Sequence, residues 1–170
     1  MTETVHTSEL FESLERALVN LEAMIEKMSE EELNKIPFKN SWTAAQVAAH
    51  VTKSTSSIAQ AMSMEAKPAE RNPDHRVQEL KGIFLDFSTK FQSPEFILPT
   101  QDVYEKEALL IKLKKSNERL KLAAGEVNLS EIINLPIFGE ITKLELLHFV
   151  LYHTQRHNHQ LKNIIRIIEE

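Results

Sequence analysis

Cysteine is absent from all 170 residues. That excludes disulfides, thiolate metal ligands and a cysteine nucleophile. Any metal must therefore be held by His, Asp or Glu, and any sulfur chemistry must use a thiol that a substrate or cofactor brings. Glycine occurs three times and tyrosine twice, whereas Leu, Ile, Ala, Glu and Lys are plentiful, a balance that favours helices over sheets. No apolar run is long enough to span a bilayer. Residues 1 to 12 lack the basic region and apolar core of a signal peptide, so a cytoplasmic location and no membrane partner are expected. An excess of positive charge is missing too: the net charge of −5 offers no field to attract nucleic acid or an anionic membrane.

What is present is the material of a globular core. Hydrophobic residues make up 42% of the chain, which is too many for disorder, and the length suits one domain over residues 1–170 rather than two. The spacing predicts four long helices. The first covers about residues 8 to 28, with Leu10, Leu14, Ala17, Leu18, Leu21, Ile25 and Met28 as its buried stripe and Ser8 as its N-cap. A turn follows in which Ser29 and Glu32 have capping-box spacing. The second helix starts with Thr43 and Gln46 as a capping box and Trp42 and Val47 as a hydrophobic staple. Its stripe is Val47, Val51, Ile58 and Met62, and Pro68 and Pro73 lie beyond its end. The third is expected from Asp102, boxed with Glu105, to Gly125. The fourth opens on Thr142 and Glu145, stapled by Ile141 and Leu146, and runs to about residue 168. Between helices two and three lies a long connection, residues 66–100, with a short helix over 77–91; it can carry the chain from one end of a bundle to the other, so those helices need not be antiparallel. Residues 128–140 read as a loop with at most one helical turn. The fold class expected is all-α, a four-helix bundle.

Three of the seven histidines stand apart from the rest. At about 100° per residue, Leu146, Val150, His153, His157, Leu161, Ile164 and Ile168 share one narrow face, with His148 and His159 opposite. His153 and His157 thus interrupt the most hydrophobic face of the last helix. Histidines four residues apart project side by side and can share an ion; H-E-x-x-H zinc helices use the same spacing, although no Glu follows His153 here. His50, beside Val51 and flanked by the small Ala49, Ser54 and Ala61, offers a third ligand from helix two. Three imidazoles from two facing helices, with coordination positions left open, suit a catalytic divalent metal. The competing explanation is a set of core histidines hydrogen-bonded to one another. Burying three neutral imidazoles costs desolvation that a metal offsets, which favours the metal. Gln160, on the same inner stripe as His157, either orients a ligand's second ring nitrogen or is an ordinary buried polar residue. His6 and His75 belong to a tail and a Pro-rich loop. The basic residues Lys112, Lys114, Lys115, Arg119 and Lys121 read as a solvated face interspersed with Glu.

The stretches Ser41-Trp-Thr-Ala-Ala-Gln-Val-Ala-Ala-His50 and His153-Thr-Gln-Arg-His157-Asn-His-Gln160, together with the 135–140 segment Leu-Pro-Ile-Phe-Gly-Glu, resemble the DinB-like superfamily across nearly the whole chain in helix order. The resemblance implies a four-helix bundle with a His-only site for zinc, nickel or another divalent ion, and His50, His153 and His157 stand at the family's ligand positions. Its members include thiol-dependent S-transferases, a mycothiol-dependent isomerase and metal-dependent hydrolases, and many have no known activity. A homodimer is compatible with the resemblance. No fourth protein ligand and no general base stand out.

A three-His metal is a Lewis acid that lowers the pKa of bound water or holds a thiol as thiolate. The expected activity is therefore the transfer of a low-molecular-weight thiol co-substrate, or hydrolysis, at a small-molecule substrate. The rival readings are a non-catalytic bundle braced by its metal or bare histidines, and a small-ligand binding module.

Overall fold

The computed structural model describes residues 2–170. Four long helices, α1 (Thr2–Lys27), α3 (Ala44–Met62), α5 (Lys106–Gly125) and α6 (Lys143–Glu169), form the bundle. Two short ones, α2 (Glu30–Leu33) and α4 (Val77–Phe84), lie in the connections. A small antiparallel sheet of β1 (Lys67–Pro68), β2 (Glu131–Leu135) and β3 (Gly139–Thr142) closes one end. All seven residues of the α1 stripe are buried, as are Val47, Val51, Ile58 and Met62 of α3. Each Leu, Ile, Val or Met among them contributes roughly 1.5–3 kcal/mol relative to exposure, so the stripes rather than intrinsic propensity hold the helices together.

The helix starts are chemically explicit. Thr43 accepts from the Gln46 N–H while the Gln46 side chain accepts from the Thr43 N–H, and Thr142 and Glu145 repeat the exchange at α6. Ser29 and Glu32 do the same for α2. Two starts differ from expectation. α1 begins at Thr2, so Ser8 lies inside the helix and caps nothing. α5 is capped by Glu105, whose carboxylate accepts from the Ala108 N–H, and not by Asp102; the helix starts one turn later than the box spacing suggests.

The core has two apolar clusters. Leu10, Leu14 and Leu18 of α1 share the first with Ile58 and Met62, Leu120 and Ala124, and Leu146 and Val150. Leu21 and Ile25 share the second with Val47 and Val51, Leu109 and Leu113, and Leu161 and Ile164. Followed along the chain, α1 and α6 pass from the first cluster to the second, and α3 and α5 from the second to the first. The order is up-down-down-up, with α3 and α5 parallel. Pairs between Lys114 and Glu26 and between Lys121 and Glu15 fit α5 lying antiparallel to α1, and they account for two lysines of the basic face. Between the clusters the buried residues turn polar: His50, Ser54 and Thr55 on α3, Ser116 and Asn117 on α5, and His153, Thr154, His157 and Asn158 on α6.

Residues 128–140, expected to be a loop, hold most of a hairpin. β2 pairs with β3 from Ile132 opposite Thr142 to Leu135 opposite Gly139, and Gly139 takes φ of 66° at its turn, a left-handed backbone that glycine adopts without strain. The hairpin ends on Thr142, the α6 N-cap, and so aims α6. Its base is locked by Arg71, which donates two bonds to the buried Glu145 carboxylate at 2.7 and 2.9 Å. Burial pushes the Glu145 carboxyl up, but the Arg71 guanidinium and the Thr142 and Arg76 N–H groups outweigh it and hold the pKa below its ordinary value. The short helix expected over 77–91 stops at Phe84. No helix among the described residues is long and apolar enough to cross a membrane.

Candidate metal centre

Capping at Thr43 places His50 two turns into α3, and capping at Thr142 places His153 and His157 midway along α6. Their Nε2 atoms form a triangle with all three edges 3.1 Å, and all three side chains are buried, at 1%, 7% and 8% exposure. Among the described residues these three are the one group of His, Asp and Glu placed to hold a metal ion together. His148 is half-buried and bonded to the Leu144 carbonyl, His159 is exposed and stacked on Phe87, and His6 and His75 are exposed. Helical phase thus separates the converging histidines from the other four.

The ring tautomers follow from the partners. Nδ1 of His50 lies 2.8 Å from the Ile97 carbonyl oxygen, which can only accept, so Nδ1 carries the proton and Nε2 a lone pair. Nδ1 of His157 lies 2.7 Å from Gln160 Oε1, and the same follows. Gln160 thus reaches a His157 ring nitrogen from the next turn of α6. Two Nε2 lone pairs then face each other at 3.1 Å, an arrangement relieved either by a cation between them or by an Nε2 proton on His153, 3.1 Å from both. An ideal tetrahedral site with bonds of about 2.05 Å sets its donors roughly 3.3 Å apart, so this triangle fits one small divalent ion.

The electrostatics hold the rings neutral, as ligation requires. Burial is the leading cause in each case. It drives His157 down to about 3, with a further push from His50. His153 lies well below the ordinary histidine value, helped by His157, His50 and Arg156. His50 is lowered as well, against the opposing effect of its bond to Ile97, with Lys53 adding to the fall. The nearby charges acting on the three rings are thus cations, Lys53 and Arg156.

Aromatic rings wall the site. His153 stacks on Phe149 at 5.1 Å and meets Phe84 edge-on, while Trp42 lies 5.1 Å from His50. Trp42 is half-buried beside the second cluster, so its staple position also brings it to the site. Arg156 straps the segment after α4 over α6, donating to the carbonyls of Phe84, Asp86 and Thr89 and sitting over the Phe91 ring. Lys53 pins the same connection at the Leu98 carbonyl, 2.7 Å away. Residue type and spacing alone do not reveal Ile97, Phe84, Phe149 or Arg156 as parts of the site. A main-chain carbonyl leaves no residue-type signal, and the Phe spacing in 84–91 reads as helix although the rings at 84 and 91 serve as wall and strap.

Comparison with known proteins supports the same fold. A family model described as the DinB superfamily matches residues 13–161. YuaE of Bacillus subtilis, itself uncharacterized, is 25% identical over 149 residues, 84% of this chain and 88% of its own. A conserved protein of Enterococcus faecalis has a similar structure, with TM-score 0.66, 18% identity and 96% of each chain covered. So does YfiT from Bacillus subtilis, described as a probable metal-dependent hydrolase with an unusual four-helix bundle topology. Its TM-score is 0.60 at 16% identity, over 94% of this chain and 85% of its own.

Proposed function

The chain belongs to the DinB superfamily, and on that premise we propose that it is a metal-dependent enzyme whose centre is His50, His153 and His157. The observation that carries this is the convergence of the three Nε2 atoms at 3.1 Å, with Nδ1 of His50 and of His157 turned outward onto the Ile97 carbonyl and Gln160 Oε1. Zinc or nickel suits three neutral imidazoles. Bound there, the ion supplies Lewis acidity, lowering the pKa of water or holding a thiol as thiolate.

The rest is done by the chain. Ile97 and Gln160 fix ring orientation, and partners of this kind govern ligand basicity. Phe84, Phe149 and Trp42 make the surroundings apolar and strengthen every charge interaction inside. Lys53 and Arg156 favour an anionic nucleophile over a neutral one. Hydrolysis of a small substrate is the first reading, in keeping with the description of YfiT. Transfer of a low-molecular-weight thiol is the second, and one observation favours it. Among the described residues no carboxylate joins the three histidines to take up a proton, and a thiol, more acidic than water to begin with, would give its proton to solvent more readily if an ion were held there. A small-molecule substrate fits a chain that lacks the positive charge nucleic acid requires.

The test is metal analysis of tag-free protein, followed by assays of the zinc- and nickel-loaded forms. Esters and amides with water alone probe the first reading; an electrophile with a small thiol probes the second. One equivalent of metal, lost in His153→Ala, together with turnover in either assay, supports the proposal. Protein with no affinity for either ion refutes it, and metal that raises stability without any turnover reduces the site to a brace.

A further inference from the structure

The seam between α1 and α6 opens on a different face of α6 from the imidazoles. A cleft of about 420 Å³ lies there, within the size range of small-ligand sites. Its floor is Ala17 and Asn158, both buried. Ala17 belongs to the apolar stripe of α1, and its small side chain leaves depth where a larger one would close the seam.

The walls are cationic and polar. Arg16 and Asn20 rise from α1, and His159 and Lys162 from α6. Among the described residues neither Arg16 nor Lys162 has an ion-pair or hydrogen-bond partner, whereas Lys114 and Lys121, also on the bundle surface, are paired with α1 carboxylates. Two unpaired cations line one cleft of a chain whose net charge is −5, and an anion held there would be attracted by both. At the floor, Asn158 donates its Nδ2 to the Ala17 carbonyl at 3.0 Å, while its Oδ1 is buried with no partner. A buried acceptor left unpaired is costly; this one is closed to solvent, so a ligand hydroxyl satisfies it only when the Asn158 amide turns toward the cleft. Phe87, stacked flat on His159 at 4.2 Å, gives the cleft one apolar wall.

We propose that this cleft binds a small phosphorylated, hydroxyl-bearing molecule. Its phosphoryl group lies between Arg16 and Lys162, where charge-assisted bonds are strong, and a hydroxyl donates to Asn158 Oδ1 once that amide turns out of its bond to Ala17. The proposal is independent of the histidine centre, because the residues that carry it touch none of the three imidazoles.

The experiment is an NMR titration of the full chain with inorganic phosphate, glycerol phosphate, glycerol and acetate at constant ionic strength. Both phosphates are expected to shift the amides of residues 13–20 and 155–162 saturably, glycerol phosphate several-fold tighter, with glycerol and acetate inert. Arg16→Ala with Lys162→Ala is expected to weaken phosphate at least about tenfold while leaving metal content unchanged; both residues are exposed, so the fold tolerates their loss. Scattered shifts, undiminished binding by the double variant, or acetate equal to phosphate would overturn the site. Equal affinity for the two phosphates would overturn the role given to Asn158.

Discussion

Lowering the pH from 7 to 5 in the presence of a chelator should destabilise this protein through the imidazoles of its centre. An unfolded histidine titrates near 6.5, whereas His157 in the bundle takes its proton only near 3 and His153 also well below the ordinary value. In that window the unfolded chain binds protons that the folded chain refuses, so stability rises with pH and is lost as pH falls below about 6.5. For a ring that stays neutral when folded, the loss between pH 7 and 5 is roughly 2 kcal/mol. His153 and His157 together then cost about 4 kcal/mol, and His50, shifted in the same direction, adds to it. Against a total stability of about 5–15 kcal/mol that is a large share. Glu145, whose pKa lies below its ordinary value, titrates below this window, and His148, lowered by burial as well, is common to both proteins compared. The assay is urea unfolding of metal-free wild type and of His153→Leu with His157→Leu at both pH values. The double variant should lose most of the dependence. Parallel pH profiles for the two proteins would refute the reasoning, because the protons taken up on unfolding would then belong to other groups.

Arg71→Ala leaves Glu145 buried without its guanidinium and should cost about 3 kcal/mol in urea unfolding at pH 7; a loss below about 1 kcal/mol would show that the pair is dispensable. Saturating zinc, at about a thousand times its Kd, should add about 4 kcal/mol, seen as a rise in Tm of roughly 8–16 °C that EDTA reverses and His50→Ala abolishes. Gln160→Ala frees the His157 ring and should weaken metal about 10- to 100-fold with the fold intact, as judged by circular dichroism; unchanged affinity would dismiss Gln160 as an orienting group. Gly139→Ala, at φ of 66°, should cost about 1 kcal/mol, and a neutral result would mean that the hairpin turn relaxes freely.

Much of this arrangement is legible from residue type and spacing because the signals are local. Thr43 with Gln46 and Thr142 with Glu145 state where α3 and α6 begin, and from those starts the phase of the histidines follows by counting. The hairpin is not legible in the same way. Ile132 and Ile133 are adjacent and both buried, and burial of neighbours erases the alternation by which a strand is read. α1 runs on to Thr2 because no breaker precedes Ser8, and a good capping residue inside a helix-forming run does not stop it. The role of Ile97 depends on where a long connection crosses α3, a tertiary fact to which no side chain bears witness. The parallel course of α3 and α5 is permitted by the length of that connection and required by nothing shorter than the packing itself.

The polar layer between the two apolar clusters makes the interior modular. Leu14 and Leu120 sit in one compartment, Ile25 and Leu113 in the other, and repacking within either need not propagate past the imidazoles. Substitutions drawn from opposite compartments should add, while those within one compartment interact. The chain can thus be re-engineered half at a time, with the histidine layer as the fixed joint against which each half is fitted.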